Sequence, residues 1–202
     1  MLAKPSQPAA NATNATNAAP QYLQCGDATL NALIEIASAG LFRHFPAAST
    51  DTIDIELVLD ALRAFRPKVA EIDTLYGVLH IVNGRWEDAS RTLRDVIDAA
   101  PSFGYAKAMY AYCLSSQNDA GWRQWADQAL EGNAAPETRA LIRALGVRAD
   151  LEAARDNHRG GEFVLPESYR DLAEEQESAK DGSTRQPSQE AAAFAPHAFL
   201  RA

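Results

Sequence analysis

The chain has 202 residues, and because it carries 27 Asp and Glu against 19 Lys and Arg, its formal net charge is −8. This acidic balance argues against nucleic-acid binding, which needs a basic surface. No stretch approaches about 18 consecutive apolar residues, which excludes a transmembrane helix. The two cysteines are too few for a disulfide scaffold.

The first segment, residues 1–24, is dominated by Ala, Asn, Thr and Pro. Its few large apolar side chains do not offset the entropy of ordering it, so we predict a disordered low-complexity tail. The segment also lacks the apolar run of a secretory signal peptide, which favours a cytoplasmic protein. Cys25 follows, and a disulfide with Cys113 would form only in an oxidising compartment.

From Asp27 to Asn157 the apolar residues recur at helical spacing in seven segments of ordinary helix length. The apolar faces of these seven segments begin at Leu30, Ile55, Ile72, Trp86, Tyr105, Trp122 and Leu141. The start of the second segment is acidic, at Asp51, Asp54, Glu56 and Asp60. Negative charge there complements the helix dipole, so we interpret these residues as an exposed helix flank rather than an active site.

Three prolines punctuate this region at a regular interval. Pro67, Pro101 and Pro136 each fall where a helix should begin or end, and they are 34 and 35 residues apart. Two helices in each period of about 34 residues are typical of tetratricopeptide repeats. We therefore predict an all-α domain over residues 25–166, in which antiparallel helical hairpins stack as a tetratricopeptide-like right-handed superhelix. About three repeats would be followed by a closing helix from Pro136.

The middle unit, residues 70–101, matches the repeat pattern best. Gly77 falls where the first helix needs a small residue so that its partner can approach, and Gly84 forms the turn between the helices. Ala89 and Leu93 follow as the small and large packing residues. The units on either side keep fewer of these positions, so one unit is well formed and two are degenerate.

The end of the chain changes composition twice. The segment Phe163–Pro166 is predicted to pack back on the closing helix, with a detachable docking peptide as the alternative. Residues 167–179 carry few apolar residues and a run of glutamates, which predicts a marginal solvated helix. Residues 180–202 are rich in Ser, Gln, Gly, Pro and Ala and predict a second disordered tail.

The sequence shows no motif for catalysis, a cofactor or a metal. There is no phosphate-binding glycine loop, zinc-protease motif or nucleophile elbow, and the four histidines are far apart. We interpret His80 as a packed, hydrogen-bonded histidine and Cys113 as a small buried apolar residue. We therefore predict no enzyme activity, no cofactor and no metal site.

What remains is a binding surface. In stacked hairpins the first helix of each pair lines the concave side, where a groove would hold an amphipathic helix or an extended peptide. The alternative is that the same side chains pack against a neighbouring helix of this chain. The predicted groove residues are Glu71, Thr74, Val78, Ile81, Tyr105, Ala108 and Tyr112.

Three segments carry a more specific resemblance. Residues Leu62–Pro67, Gly84–Ala89 and Lys107–Leu114 make the stretch from Leu30 to Leu145 similar to the HrpB/HrpK family of type III secretion proteins of Gram-negative bacteria. The resemblance implies a non-enzymatic, chaperone-like or adaptor protein that binds a needle or pilus subunit, a translocator or a basal-body part. The resemblance is also compatible with a second role, in which the protein is a periplasmic structural accessory that self-associates and contacts the secretin or peptidoglycan. Apolar surface at the end of a short stack is compatible with a homodimer.

Overall fold

In the computed structural model of the protein, the described residues are 26–48 and 50–183, with side chains described as far as residue 175. These residues form eight α-helices, and their extended pairing is limited to an isolated bridge between His44 and Ala47. The predicted tails, residues 1–24 and the part of 180–202 beyond Ser183, lie outside the described residues. The helices are α1 (Asp27–Phe42), α2 (Thr52–Phe65), α3 (Ala70–Val82), α4 (Trp86–Ala99), α5 (Gly104–Ser116), α6 (Trp122–Leu130), α7 (Pro136–Asn157) and α8 (Glu167–Ser183).

Each helix packs mainly on the helices that precede and follow it in sequence. Contacts between α1 and α3, α3 and α5, and α5 and α7 join successive hairpins into a stack. The prediction of an all-α fold built from stacked helical hairpins is therefore confirmed. The right-handed superhelix and the tetratricopeptide detail stay predictions. None of the described helices has the length and apolarity that a membrane crossing requires.

The helix boundaries follow from local sequence. The Asp51 carboxylate accepts a hydrogen bond from the backbone N–H of Ile53 at 2.9 Å, which caps α2. Pro136 occupies the first turn of α7, where its missing N–H leaves no bond unmade. Gly84 has φ +69° in the turn between α3 and α4, a conformation that glycine adopts without strain.

The core lies between the helices in two joined clusters. The larger cluster runs from α1 to α5, and the smaller one lies among α5, α6 and α7. Gly77 marks the closest approach of α3 and α4, because a Cβ atom added there would lie 2.6 Å from the Cγ atom of Leu93. The predicted need for a small residue at this position is confirmed.

The last helix lies against α7. The Ser168 hydroxyl donates a hydrogen bond to the Asp150 carboxylate at 2.7 Å, and Arg143 pairs with Glu175. The connection before α8 does not pack as predicted, since Val164 is 73% exposed. The prediction that Phe163–Pro166 packs back on the preceding helix is therefore wrong for Val164, whereas the ring of Phe163, 41% exposed, makes an edge contact with His158 of the segment after α7.

Candidate partner-binding surfaces

Most of the predicted groove residues lie in the core. Five of the seven are at most 7% exposed, and the remaining two, Glu71 and Tyr112, are partly exposed. The packing alternative that the sequence left open therefore describes the five, and a partner reaches them only if the helices separate. Partner binding through Glu71 and Tyr112 stays a prediction. The five buried residues are Thr74, Val78, Ile81, Tyr105 and Ala108.

The chain itself covers this side of α5. The ring of Phe42, at the end of α1, lies 6.3 Å from the ring of Tyr105, and the ring of Phe45 lies 4.9 Å from that of Tyr112. Phe103 adds an edge contact to Tyr105 at 6.4 Å. The end of α1 and the turn after it thus lie against the α5 part of the predicted groove.

Apolar side chains are exposed instead on the first hairpin. Ile53 is 64% exposed and Leu57 is 62% exposed, and both belong to α2. They are four residues apart and therefore share one face of α2. That face lies opposite the buried stripe formed by Ile55, Leu59 and Leu62.

A third apolar side chain lies on the neighbouring helix. Ile36 of α1 is 62% exposed, and it shares a face with Gly40 because four residues separate them. A Cβ atom on Gly40 would lie 3.0 Å from Ile55, so this face of α1 is turned towards the buried stripe of α2 and not towards the face of Ile53 and Leu57. We call Ile53 and Leu57, which share the exposed face of α2, the hairpin patch.

Acidic side chains of α2 flank the hairpin patch. From Thr52 to Leu62 every charged residue is acidic, at Asp54, Glu56 and Asp60. Asp60 accepts a hydrogen bond from the Tyr76 hydroxyl, whereas Asp54 and Glu56 form no ion pair with any other described residue. The acidic flank that the sequence predicted for this helix is exposed at Asp51, Asp54 and Asp60 and partly exposed at Glu56.

His80 is one of two side chains, with Cys113, whose chemistry could serve catalysis or metal binding. Burial and the nearby Arg85 guanidinium lower the pKa of His80, so its imidazole is neutral at pH 7. Its Nδ1 atom is buried without a hydrogen-bond partner, which departs from the predicted hydrogen-bonded histidine. Over the described ranges, no three His, Cys, Asp or Glu side chains are grouped as a metal site would require.

Cys113 is fully buried between α4 and α5. Its thiol lies 3.2 Å from the Ser90 hydroxyl and donates to the Trp86 carbonyl oxygen at 3.6 Å. Burial raises the pKa of this thiol, so little thiolate is present at neutral pH. The structure therefore agrees with the interpretation of Cys113 as a small buried apolar residue. Its proposed disulfide partner, Cys25, lies outside the described residues.

We expect Cys113 to resist thiol reagents in the folded protein. In a Cys25→Ser variant, which leaves one thiol, labelling by a chromogenic disulfide reagent should be at least about 100-fold slower in native buffer than in denaturant, because it requires local opening. The time course of absorbance measures both rates. Rapid labelling of the native variant would contradict the buried position and would reopen a disulfide with Cys25.

These features define a stacked helical-hairpin protein that exposes an apolar patch with acidic surroundings, an arrangement typical of protein-binding scaffolds. A comparison with family models matches residues 20–151 to the bacterial type III secretion protein family HrpB1_HrpK. The match covers well over half of the chain, so the protein belongs to this family, and the resemblance read from the sequence is confirmed. Comparisons with curated proteins and with solved structures each found no match.

Proposed function

We propose that the protein is a non-enzymatic, chaperone-like or adaptor component of a bacterial type III secretion system that binds another secretion protein. Its partner would be a needle or pilus subunit, a translocator or a basal-body part. The observation that carries the proposal is the hairpin patch, which lies within the stretch matched by the family model.

The exposure of these side chains has an energetic consequence. Clustered apolar residues on a protein surface are typical of interaction sites. Covering the exposed part of Ile53 and Leu57 contributes about 1–2 kcal/mol for each side chain, which corresponds to roughly tenfold in affinity for each. The patch therefore supports binding to a partner that supplies an apolar face of its own.

The location follows from the role. A chaperone acts before its substrate is exported, so the proposal includes a cytoplasmic location. A second candidate function is a periplasmic accessory that self-associates and contacts the secretin or peptidoglycan. It is favoured by a second exposed apolar segment, Phe163–Leu165, because contact between this segment of one copy and the hairpin patch of another would join copies head to tail.

Affinity capture from the native bacterium tests the proposal. The tagged full-length protein should retain at least one component of its own secretion gene cluster, identified by mass spectrometry. Co-expression of the untagged component with the tagged protein should reproduce the complex. If no needle, translocator or basal-body protein forms a complex in either format, the proposal fails.

Cell fractionation separates the two candidate functions. We expect the protein to follow a cytoplasmic marker enzyme, because a chaperone meets its substrate before export. A pool that follows a periplasmic marker, together with concentration-dependent oligomers in sedimentation velocity, would contradict the chaperone role and support the periplasmic accessory.

A further inference from the structure

We infer that the hairpin patch binds a basic amphipathic helix of the secretion partner, in which lysine or arginine residues flank an apolar stripe on both sides. The inference rests on the proposed function and specifies the chemistry of the partner at the site. It is carried by the spacing of the exposed apolar residues and by the charge around them.

The spacing fits a helix laid along α2. Ile53 and Leu57 form an exposed apolar stripe one turn long on α2. A partner helix with apolar residues at positions i, i+3, i+4 and i+7 presents a matching stripe to such a surface. The patch is therefore suited to helix-on-helix packing.

The charge selects which kind of helix binds. At 3.6 residues per turn, Asp54 and Glu56 lie about 80° to either side of the stripe formed by Ile53 and Leu57. No described residue forms an ion pair with either carboxylate. Asp54 is exposed whereas Glu56, on the side nearer Tyr76 and His80, is partly exposed, so Asp54 is the more accessible of the two to a cation from a partner. A helix with basic residues on both edges of its apolar stripe would pair with both of them.

The same charge disfavours the other occupants of an apolar surface. If two copies met patch to patch, the acidic residues around one patch would face those around the other, and like-charge contacts oppose association. Anionic lipid headgroups would be repelled for the same reason. A basic helix is the occupant that the acidic surroundings favour.

Fluorescence anisotropy with two model peptides tests the inference. Both are labelled helices of about 18 residues with the same leucine stripe, flanked by lysine in one and by glutamate in the other. We expect the lysine peptide to bind the full-length protein at least about tenfold more tightly than the glutamate peptide at about 0.05 M salt, and the difference to shrink at about 0.5 M.

Variants locate the binding. Ile53→Ser with Leu57→Ser should weaken binding of the lysine peptide at least about tenfold, because the apolar stripe is lost. Asp54→Asn with Glu56→Gln should weaken it and reduce its salt dependence. The control pair Val164→Ser with Leu165→Ser alters the other exposed segment and should leave binding unchanged. Unchanged thermal unfolding shows that each variant is folded.

Three results would overturn the inference. The first is equal binding of the two peptides by the wild-type protein. The second is undiminished binding of the lysine peptide by the variant with serine at both Ile53 and Leu57. The third is a dimer of the wild-type protein that this variant does not form.

Competition with a captured secretion protein separates the inference from the proposed function. If a complex forms but resists excess lysine peptide, the inference alone fails. If no secretion protein is captured while the lysine peptide binds at the patch, the proposed function alone fails.

Discussion

Replacing Gly77 with alanine should destabilise the protein, although the same replacement at Gly146 should stabilise it slightly. A Cβ atom on Gly77 would lie 2.6 Å from the Cγ and Cδ2 atoms of Leu93, which is fully buried, so the core must shift. Overpacking of this kind costs about 1–3 kcal/mol, whereas alanine gains about 1 kcal/mol over glycine inside a helix. Gly146 lies within α7 with no atom within 4 Å of an added Cβ, so only the gain applies.

A double-mutant cycle isolates the contact. Leu93→Ala alone should lower the free energy of unfolding by about 2–5 kcal/mol, because it leaves a cavity between α3 and α4. In that background Gly77→Ala should become neutral or stabilising, since the atoms it would strike are gone. Urea unfolding followed by far-ultraviolet circular dichroism gives the four free energies. Additive effects of the two substitutions would show that Gly77 and Leu93 do not limit the approach of the helices.

The contact between Gly77 and Leu93 was predictable because it is local in the repeat. The two residues belong to consecutive helices of one hairpin, whose turn is set by Gly84. A pattern of period 3.6 reports which face of each helix is buried, and a short turn leaves the partner helix little choice of position. For the same reason the order of helices and the all-α hairpin fold follow from the sequence.

The covering of α5 was not predictable in this way. The rings of Phe45 and Tyr112 are 4.9 Å apart, yet they are separated by several helices in the chain. Periodicity shows that Tyr105 and Tyr112 lie on an apolar face, but it does not say which segment covers that face. Phe42, the last residue of the first helix, and Phe45, in the turn after it, are the signal that could have suggested it.

The hairpin patch was missed for a related reason. The buried stripe of α2 accounts for its helical period, and Ile53 and Leu57 lie between acidic residues on the opposite face. A second apolar stripe on a helix is buried in one fold and exposed in another, depending on whether a further helix packs outside it. In this protein α2 packs on α1 and α3, and the outer face stays exposed.

The two tyrosines of the predicted groove should respond differently to truncation. Tyr105 is 7% exposed and its ring contacts Phe42 and Phe103, so Tyr105→Ala should cost about 3–5 kcal/mol of stability. Tyr112 is partly exposed and packs on Phe45, so Tyr112→Ala should cost about 1–2 kcal/mol. Thermal and urea unfolding measure both, and Tyr105→Phe, which keeps the ring, is the control for the first.

The difference in stability makes Tyr112→Ala the variant that tests binding at the groove. It should stay folded, so a loss of the captured secretion protein by this variant would assign binding to the α5 surface rather than to general unfolding. Retention of the partner by Tyr112→Ala, with its loss on Ile53→Ser and Leu57→Ser, would assign binding to the hairpin patch. A Tyr105→Ala protein as stable as the wild type would contradict the buried position of that ring and would leave Tyr105 accessible to a partner.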